Sequence, residues 1–385
     1  MKLTQYGDYL YLYILLLSFI PAIIMGLKGK KIKYYGLVVS VPMVLLIVGT
    51  ASYQIYLFVM FILGELALTY LYLFVRKKSD SKVLYRIALI LSIVPLIITK
   101  VSAKTPIGAI GFIGLSYLNF KAIQMIIEIY DGTIEKVNFF TYVYFLLFFP
   151  TLSSGPIDRF RRFEENINTA PSGEEYRSEY LYEGFIKIFT GIGYKFVLAY
   201  LIQTFWMSKI GSDITFLNTL NYMYAYSLYL FFDFAGYSSF AVGTSYILGV
   251  KTPDNFNKPF LSKDMKEFWT RWHISLSRWF GDYIYSRILL SSMRKKRFKS
   301  RFTASHVAQI TTMLVMGIWH GLDWFYIIYG LYQGLVLVIT DILQRKWKFY
   351  KKHKKEKWFQ WVQIAVNFNV ACFGLLLFSG YLFNK

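Results

Sequence analysis

The sequence predicts an all-α integral membrane protein, and three observations lead to that prediction. Of the 385 residues, 56% are hydrophobic and the mean hydropathy is +0.40, which leaves too little polar surface for a soluble globular chain. Several long runs carry no charge and approach the roughly 20 residues that a helix needs to cross a bilayer. Lysines and arginines cluster at the ends of these runs, as the positive-inside rule describes.

The uncharged runs predict about ten or eleven spanning helices. Only one lysine precedes the first run, and no cleavage site of small residues separates the run from the lysines after it, so we expect it to remain as the first span. A further stretch, 34–75, predicts two spans separated near Gly49-Thr50-Ala51-Ser52, with Glu65 as its one charge. The other runs lie at 9–27, 137–157, 214–232, 235–250, 302–322, 324–340 and 358–384.

The net charge of +21 is concentrated in loops that adjoin the runs. This pattern places those loops on the cytoplasmic side and the amino terminus outside, as expected of a multi-pass protein of the cell membrane. It predicts the lipid bilayer as a partner and excludes a nucleic-acid role, while attraction of an acidic cytoplasmic protein is a compatible second reading. The basic clusters lie at 28–33, 76–86, 294–301 and 345–357.

The chain shows no internal repeat and no linker, so a single domain over 1–385 is predicted, with less apolar inserts at 158–183, 252–292 and 344–357. The run 149–156 contains Pro and Gly that break a helix, which indicates either a loop end or a turn lining a cavity. The insert 252–292 is predicted to form one amphipathic helix lying in the membrane interface. Its apolar residues recur at three- and four-residue steps: Phe268, Trp269, Trp272, Leu276, Trp279, Phe280 and Tyr283.

His320 is the leading candidate for catalysis. It is one of four histidines, and it lies in the stretch 302–322, which has no Lys, Arg, Asp or Glu. A buried imidazole is neutral, so it can accept a proton from an attacking hydroxyl. The alternative is a histidine that only hydrogen-bonds between helices. Asp323 either orients the imidazole or caps the next helix.

His273, like His320, directly follows a tryptophan. The helical pattern alone favours a functional role for His273 no more than a role in packing. Trp272, Ser275 and Trp319 are the neighbouring candidates for lining or supporting a substrate path. Asp233 interrupts two apolar runs, which indicates a polar cavity or a tight turn between helices. We predict no metal site, because the histidines are not spaced as paired metal ligands. We predict direct transfer between two bound substrates, because the single thiol, Cys372, has no neighbour that would activate it as a nucleophile.

Several segments in combination resemble the membrane-bound O-acyltransferase family over about 108–332. The resemblance implies a ring of spanning helices around a thinned centre, with interfacial and re-entrant helices. It also implies that His320 occupies the catalytic position and that His273 lines the route from the cytoplasm. The resembling segments are Asp233 to Tyr237, Asn255 to Phe260, Trp269 to His273, Gly281-Asp282-Tyr283 and Gly317 to Gly321, with weaker ones at 114–117 and 149–159.

Within that family, the sequence is most similar to the branch that moves D-alanine toward lipoteichoic acid in the Gram-positive cell envelope. This likeness implies a donor thioester on phosphopantetheine, supplied by a small acidic carrier protein, and no permanently bound cofactor. It implies that the carrier docks near Lys263, Lys266 and Arg271. The acceptor is either lipoteichoic acid or a hydroxyl of a membrane partner protein.

Other functions stay open at this point. The branch that O-acetylates alginate or another envelope polysaccharide shares both histidine segments. It typically has Pro-Leu-Gly-Gly after its Asp-Tyr, where this chain continues as Ile284-Tyr285-Ser286. A transporter or flippase would commonly show paired halves, which the sequence lacks. A scaffold for an envelope complex would tolerate His320→Ala.

Overall fold

The computed structural model describes residues 2–49, 53–211 and 213–383, which form helices joined by turns and include no β-strand. This confirms the predicted all-α class. The chain divides into two compact units. Unit 1 consists of Met1–Ile192 with Gly236–Pro253, and unit 2 consists of Gly193–Ala235 with Asp254–Lys385.

Unit 1 begins with long apolar helices, and the first of them has the bounds that its uncharged run predicts. Gly49 ends the second helix with φ +92°, a left-handed conformation that glycine adopts without steric cost. The predicted break therefore starts at Gly49, while Thr50, Ala51 and Ser52 lie outside the described residues. The helices are α1 (Tyr9–Leu27), α2 (Lys33–Val48), α3 (Tyr53–Lys78), α4 (Lys82–Ser102), α5 (Leu115–Tyr130), α6 (Phe139–Leu147), α7 (Phe160–Asn168), α8 (Gly173–Glu175) and α9 (Tyr182–Ile192).

The run 137–157 is not a spanning helix, so that prediction is wrong. After α6 the chain makes only a short 3₁₀ turn, Phe149–Thr151, and the segment is buried. Its backbone is held by side chains of unit 1: Gln5 Nε2 donates to the Phe149 carbonyl at 2.7 Å, and Lys121 Nζ donates to the Phe145 carbonyl at 2.9 Å. Irregular backbone among apolar helices needs such internal partners.

Unit 2 contains the long helix that carries Asp233. The runs 214–232 and 235–250 form one continuous helix, so the predicted turn at Asp233 is wrong; its carboxylate forms an ion pair with Lys195. The helix passes from unit 2 into unit 1 at Gly236. The remaining helices are α10 (Tyr200–Phe205), α11 (Phe216–Ile247), α12 (Met265–Arg271), α13 (Ile274–Phe280), α14 (Ser286–Arg294), α15 (Arg301–His320), α16 (Trp324–Lys346), α17 (Lys348–His353) and α18 (Lys357–Ser379).

Six helices in the described residues are long and apolar enough to cross a membrane, by length and composition. The number is below the predicted ten or eleven, because one run is broken and two others merge into α11. Helices α11 and α15 have 32 and 20 residues, but α11 contains many Ser, Thr, Asn and Tyr side chains, and α15 contains Arg, Ser, Thr, Gln and His side chains. The six are Tyr9–Leu27, Tyr53–Lys78, Lys82–Ser102, Gly173–Lys209, Trp324–Lys346 and Lys357–Ser379.

Helices α15 and α16 pack at unusually short distance because glycines face each other. A Cβ on Gly330 would lie 2.6 Å from the Met313 carbonyl oxygen and 3.2 Å from the Gly317 Cα. Small residues let the backbones of membrane helices approach in this way. This pair matters for the site, because α15 ends at His320.

We expect Gly330→Val to destabilise the protein by about 1–3 kcal/mol, because the added side chain forces two backbones apart. Thermal unfolding of the detergent-purified protein, followed by tryptophan fluorescence, measures the effect. Gly64→Val is the matched control, because a Cβ at Gly64 meets nothing within 4 Å. Equal melting temperatures for the two variants would show that the close packing is not needed.

Candidate active site

The insert 252–292 is not the single amphipathic helix that the sequence predicts. Two short helices, α12 and α13, meet at a break, and His273 at that break has φ +43° and ψ 53°. This left-handed conformation is uncommon for a residue other than glycine, and it persists only where the surroundings impose it. A π-helical stretch, Gly281–Tyr285, then leads into α14.

Asn255 holds the break in place. Its side-chain Oδ1 accepts hydrogen bonds from Ser275 Oγ at 2.6 Å and from the Ser275 backbone N–H at 3.2 Å. Its own carbonyl accepts from Ile274 N–H at 2.9 Å, and Asn257 N–H donates to the Arg271 carbonyl at 2.9 Å. Four hydrogen bonds thus flank His273, so its strained backbone is determined by the preceding loop rather than by its own helix.

Helix α12 lies along α16 and starts near the basic, carboxy-terminal end of α16. Lys266 Nζ lies 2.5 Å from Asp341 Oδ1, and Trp269 Nε1 donates to Gln333 Oε1 at 3.3 Å. Gln333 lies eight residues before Asp341, or about 12 Å along the helix axis. The insert therefore runs inward along α16, and its apolar side packs against protein: Phe268, Trp269, Trp272 and Leu276 are buried.

Asp341 connects three elements near the basic end of α16. Besides Lys266, its carboxylate binds His306 Nε2 at 2.9 Å and Arg345 Nε at 2.7 Å. The His306 side chain is only 20% exposed, and its contact with Asp341 joins α15 to α16. A buried carboxylate with several charged partners locks neighbouring helices together.

His320 is the last residue of α15. The glycines on either side of Trp319-His320 are required by close contacts: a Cβ on Gly317 would lie 2.3 Å from the Tyr326 carbonyl oxygen, and one on Gly321 would enter the Tyr326 ring at 2.4 Å. The imidazole meets Phe378 edge-to-face, with 4.9 Å between ring centroids. The backbone around His320 therefore approaches its neighbours closely.

Both histidines line one cavity of about 60 Å³ in unit 2. His273 comes to it from the turn between α12 and α13, and His320 comes from the end of α15. His273 is buried and His320 is half-buried. The other walls are apolar or aromatic. They are Leu230, Phe234, Trp269, Trp272, Leu276, Tyr329, Leu375 and Phe378.

A larger cavity, of about 450 Å³, shares Trp269 with the small one. Most of its walls are apolar or aromatic, and its polar or cationic walls include Lys266, Arg278 and Gln309. Arg278 is exposed, and in the sequence its spacing indicates only the polar side of an amphipathic helix.

Burial makes His273 a neutral group. Desolvation lowers the pKa of its imidazole to about 3, because the charged form loses its hydration in this environment. At neutral pH the ring therefore carries one N–H donor and one acceptor nitrogen. It can orient a polar group in the cavity without introducing a charge.

The remaining candidates take different places. Trp272 lines the small cavity, whereas Ser275 acts through Asn255, and Asp233 is bound by Lys195. Trp319 contacts the His320 ring at 4.5 Å but is not among the cavity walls.

Asp323 occupies the amino-terminal cap position of α16, although its side chain makes no capping hydrogen bond. Cys372 is buried in α18. The described residues contain no cluster of three or more His, Cys, Asp or Glu side chains able to hold a metal ion.

Comparison with known proteins decides the family. The model of the membrane-bound O-acyltransferase family matches residues 38–381. The chain belongs to this family. It is therefore a multi-pass membrane protein of acyltransferase type, and the match extends beyond the 108–332 stretch on which the resemblance was based.

Two relatives match over nearly their whole length. The chain is 40% identical to the teichoic acid D-alanyltransferase of Bacillus subtilis (strain 168), covering 98% of both proteins. It is 39% identical to the teichoic acid D-alanyltransferase of Streptococcus thermophilus (strain ATCC BAA-250 / LMG 18311), covering 99% of this chain and 96% of that protein. The probable alginate O-acetylase AlgI of Azotobacter vinelandii is 35% identical but covers 60% of this chain and 45% of its own length.

The lowered pKa of His273 predicts a pH-dependent stability. Unfolded histidine binds a proton below about pH 6.5, whereas buried His273 resists protonation until about pH 3, so the unfolding free energy falls as the pH is lowered. Between pH 7 and pH 5 we expect a loss of about 2 kcal/mol from this residue. Chemical unfolding at both pH values measures it, with His273→Asn as the variant that tolerates a left-handed backbone. An identical pH dependence in His273→Asn would contradict the assignment.

Proposed function

We propose that this protein is a teichoic acid D-alanyltransferase, which transfers D-alanine from a carrier-protein thioester to a hydroxyl group on the way to lipoteichoic acid. The near full-length similarity to two proteins of that name is the observation that carries the proposal. The shared cavity of His273 and His320 supports it, because acyl transfer needs a base in a site that excludes water.

In the proposed reaction, His320 is the catalytic base. The acceptor hydroxyl oxygen attacks the thioester carbonyl while His320 takes the hydroxyl proton. The carbon–sulfur bond then breaks, an ester forms, and the imidazolium returns its proton to the departing phosphopantetheine sulfur. Such a base contributes about two to four powers of ten in rate. No acyl group is attached to the protein at any stage.

The donor arm is proposed to enter from the basic end of α16, on the predicted cytoplasmic side. The 450 Å³ cavity has the exposed Arg278 among its walls, which suits the phosphate of phosphopantetheine, and it shares Trp269 with the small cavity. Movement of this indole would open the small cavity, where neutral His273 can donate to or accept from the acyl group. His273 is thus assigned the role of positioning the acyl group beside His320, the base.

The carrier protein is proposed to dock on the insert. Of the three docking candidates, Lys263 is exposed, whereas Lys266 is engaged by Asp341 and Gln344 and Arg271 by Glu267. The cations that remain available to an acidic partner are therefore Lys263 and, at the edge of the large cavity, Arg278. Lys266 is assigned to holding α12 on α16.

O-acetylation of a polysaccharide is the second candidate. The probable alginate O-acetylase covers only 60% of this chain, and the residues after Asp282-Tyr283 depart from the pattern of that branch. D-alanyl transfer is therefore favoured, and lipoteichoic acid or a membrane partner protein is proposed as the immediate acceptor.

His320→Ala is expected to lower D-alanine incorporation at least a hundredfold, because the attacking hydroxyl loses its base. Cells or nanodiscs that hold wild type, His320→Ala or His273→Ala are supplied with carrier charged with labelled D-alanine, and labelled lipoteichoic acid is counted. His353→Ala, outside the cavity, is the matched control. Normal labelling by well-inserted His320→Ala protein would reject the base, and labelled acetate in a polysaccharide would favour the second candidate.

Reversing the docking charges is expected to weaken use of the carrier without changing the chemistry. Lys263→Glu with Arg278→Glu should raise KM for the charged carrier about tenfold or more and leave kcat nearly unchanged, since uniform binding is lost. The difference should shrink at high salt. Lys299→Glu, on another exposed loop, is the control. A fall in kcat alone would contradict the docking assignment.

A further inference from the structure

A second feature of unit 2 is a groove of about 270 Å³ between α16 and α18, and neither His273 nor His320 is among its walls. Its walls are mostly apolar. The larger aliphatic side chains that line it come from three positions on each helix: Val336, Ile339, Leu343, Val362, Val366 and Val370.

The groove runs lengthwise along the two helices. On α18 its residues recur every three or four positions and reach Val370, which lies thirteen residues after Lys357 at the helix start. That distance is about 20 Å, so the groove extends from one end of the span to at least the middle of a hydrocarbon layer about 30 Å thick. A volume of 270 Å³ over this length is too narrow for an α-helix, which is about 10 Å wide.

One end of the groove opens at a strongly basic loop. Trp347 and Tyr350 line the groove there, and Lys263 lies at the same place. The loop 345–357 contains eight Lys or Arg residues against one acid, Glu356. Such a cluster beside a spanning helix attracts anionic headgroups of the cytoplasmic leaflet.

Aromatic rings mark this end as lying at membrane-interface level. Trp347 is 45% exposed and Trp358 is 50% exposed, and Phe349 contacts both rings. Tryptophan and tyrosine concentrate where hydrocarbon meets headgroups, because their rings are apolar and their N–H or O–H groups remain wet. The apolar groove therefore begins at the depth at which a phospholipid's acyl chains begin.

We propose that this groove binds an anionic phospholipid of the cytoplasmic leaflet. One acyl chain lies between α16 and α18, and the phosphate is held by the basic loop. The groove also contacts the insert 252–292, because Asp264 and Met265 at the start of α12 line it. Gln344 Nε2, from α16, donates to Asp264 Oδ2 at 2.8 Å. Bound lipid would therefore stabilise α12 on α16.

Native mass spectrometry of the full-length protein, titrated with palmitoyl-oleoyl phosphatidylglycerol or phosphatidylcholine, tests the proposal. We expect one phosphatidylglycerol to bind at least tenfold more tightly than phosphatidylcholine and to raise the melting temperature. Val366→Trp, which fills the groove, should abolish this binding, and Val59→Trp on the exposed side of α3 should not. Lys348→Gln with Lys351→Gln and Lys352→Gln should remove the preference for the anionic lipid.

The controls separate a lipid site from simple charge attraction. The triple variant Lys295→Gln, Lys296→Gln and Lys299→Gln makes the same change of charge on another loop and should keep the preference. Equal binding of the two lipids, or competition by glycerol 3-phosphate as strong as by the long-chain lipid, would overturn the proposal. It would also be overturned if Val366→Trp changed the oligomeric state while lipid binding stayed intact, because the groove would then hold protein.

Discussion

The loop residue Asn255 determines the geometry on which the candidate site depends. A buried histidine in a left-handed turn is unfavourable by itself, and here four hydrogen bonds from 255 and 257 to residues 271–275 compensate for it. The turn ends α12 and starts α13 in a new direction. Without it, His273 would remain on the side of a continuous helix rather than on the cavity that His320 also lines.

The position of the insert follows from polar contacts that continue inward along one helix. Lys266 binds Asp341 near the basic end of α16, and Trp269 binds Gln333 about 12 Å further along. Each polar group is satisfied by a partner on another element, which is the condition for burying it. The same contacts hold Trp269 in the walls of two cavities: a large one that Lys266, Arg278 and Gln309 also line, and the small, mainly apolar one of His273 and His320.

The errors of prediction share a physical cause. A turn was one of the two predictions for Asp233, because a carboxylate in an apolar run is costly, but Lys195 in a distant segment forms an ion pair with it and the helix continues. The run 137–157 was taken for a span because it lacks charge, but Gln5 and Lys121 from elsewhere in the chain satisfy an irregular backbone. In each case a partner remote in sequence altered what the local pattern favours.

The sequence by itself determined the all-α membrane class, the bounds of α1, the glycine-flanked His320 and the family, because these depend on hydropathy, helical period and motif spacing within short segments. Only the tertiary structure decided that His273 lies in a left-handed turn, that it lines one cavity with His320, that Trp269 lines two cavities and that Lys266 is engaged by Asp341. Burial, and with it the pKa of His273, arises from side chains that residues far apart along the chain bring together, and no local pattern contains that information.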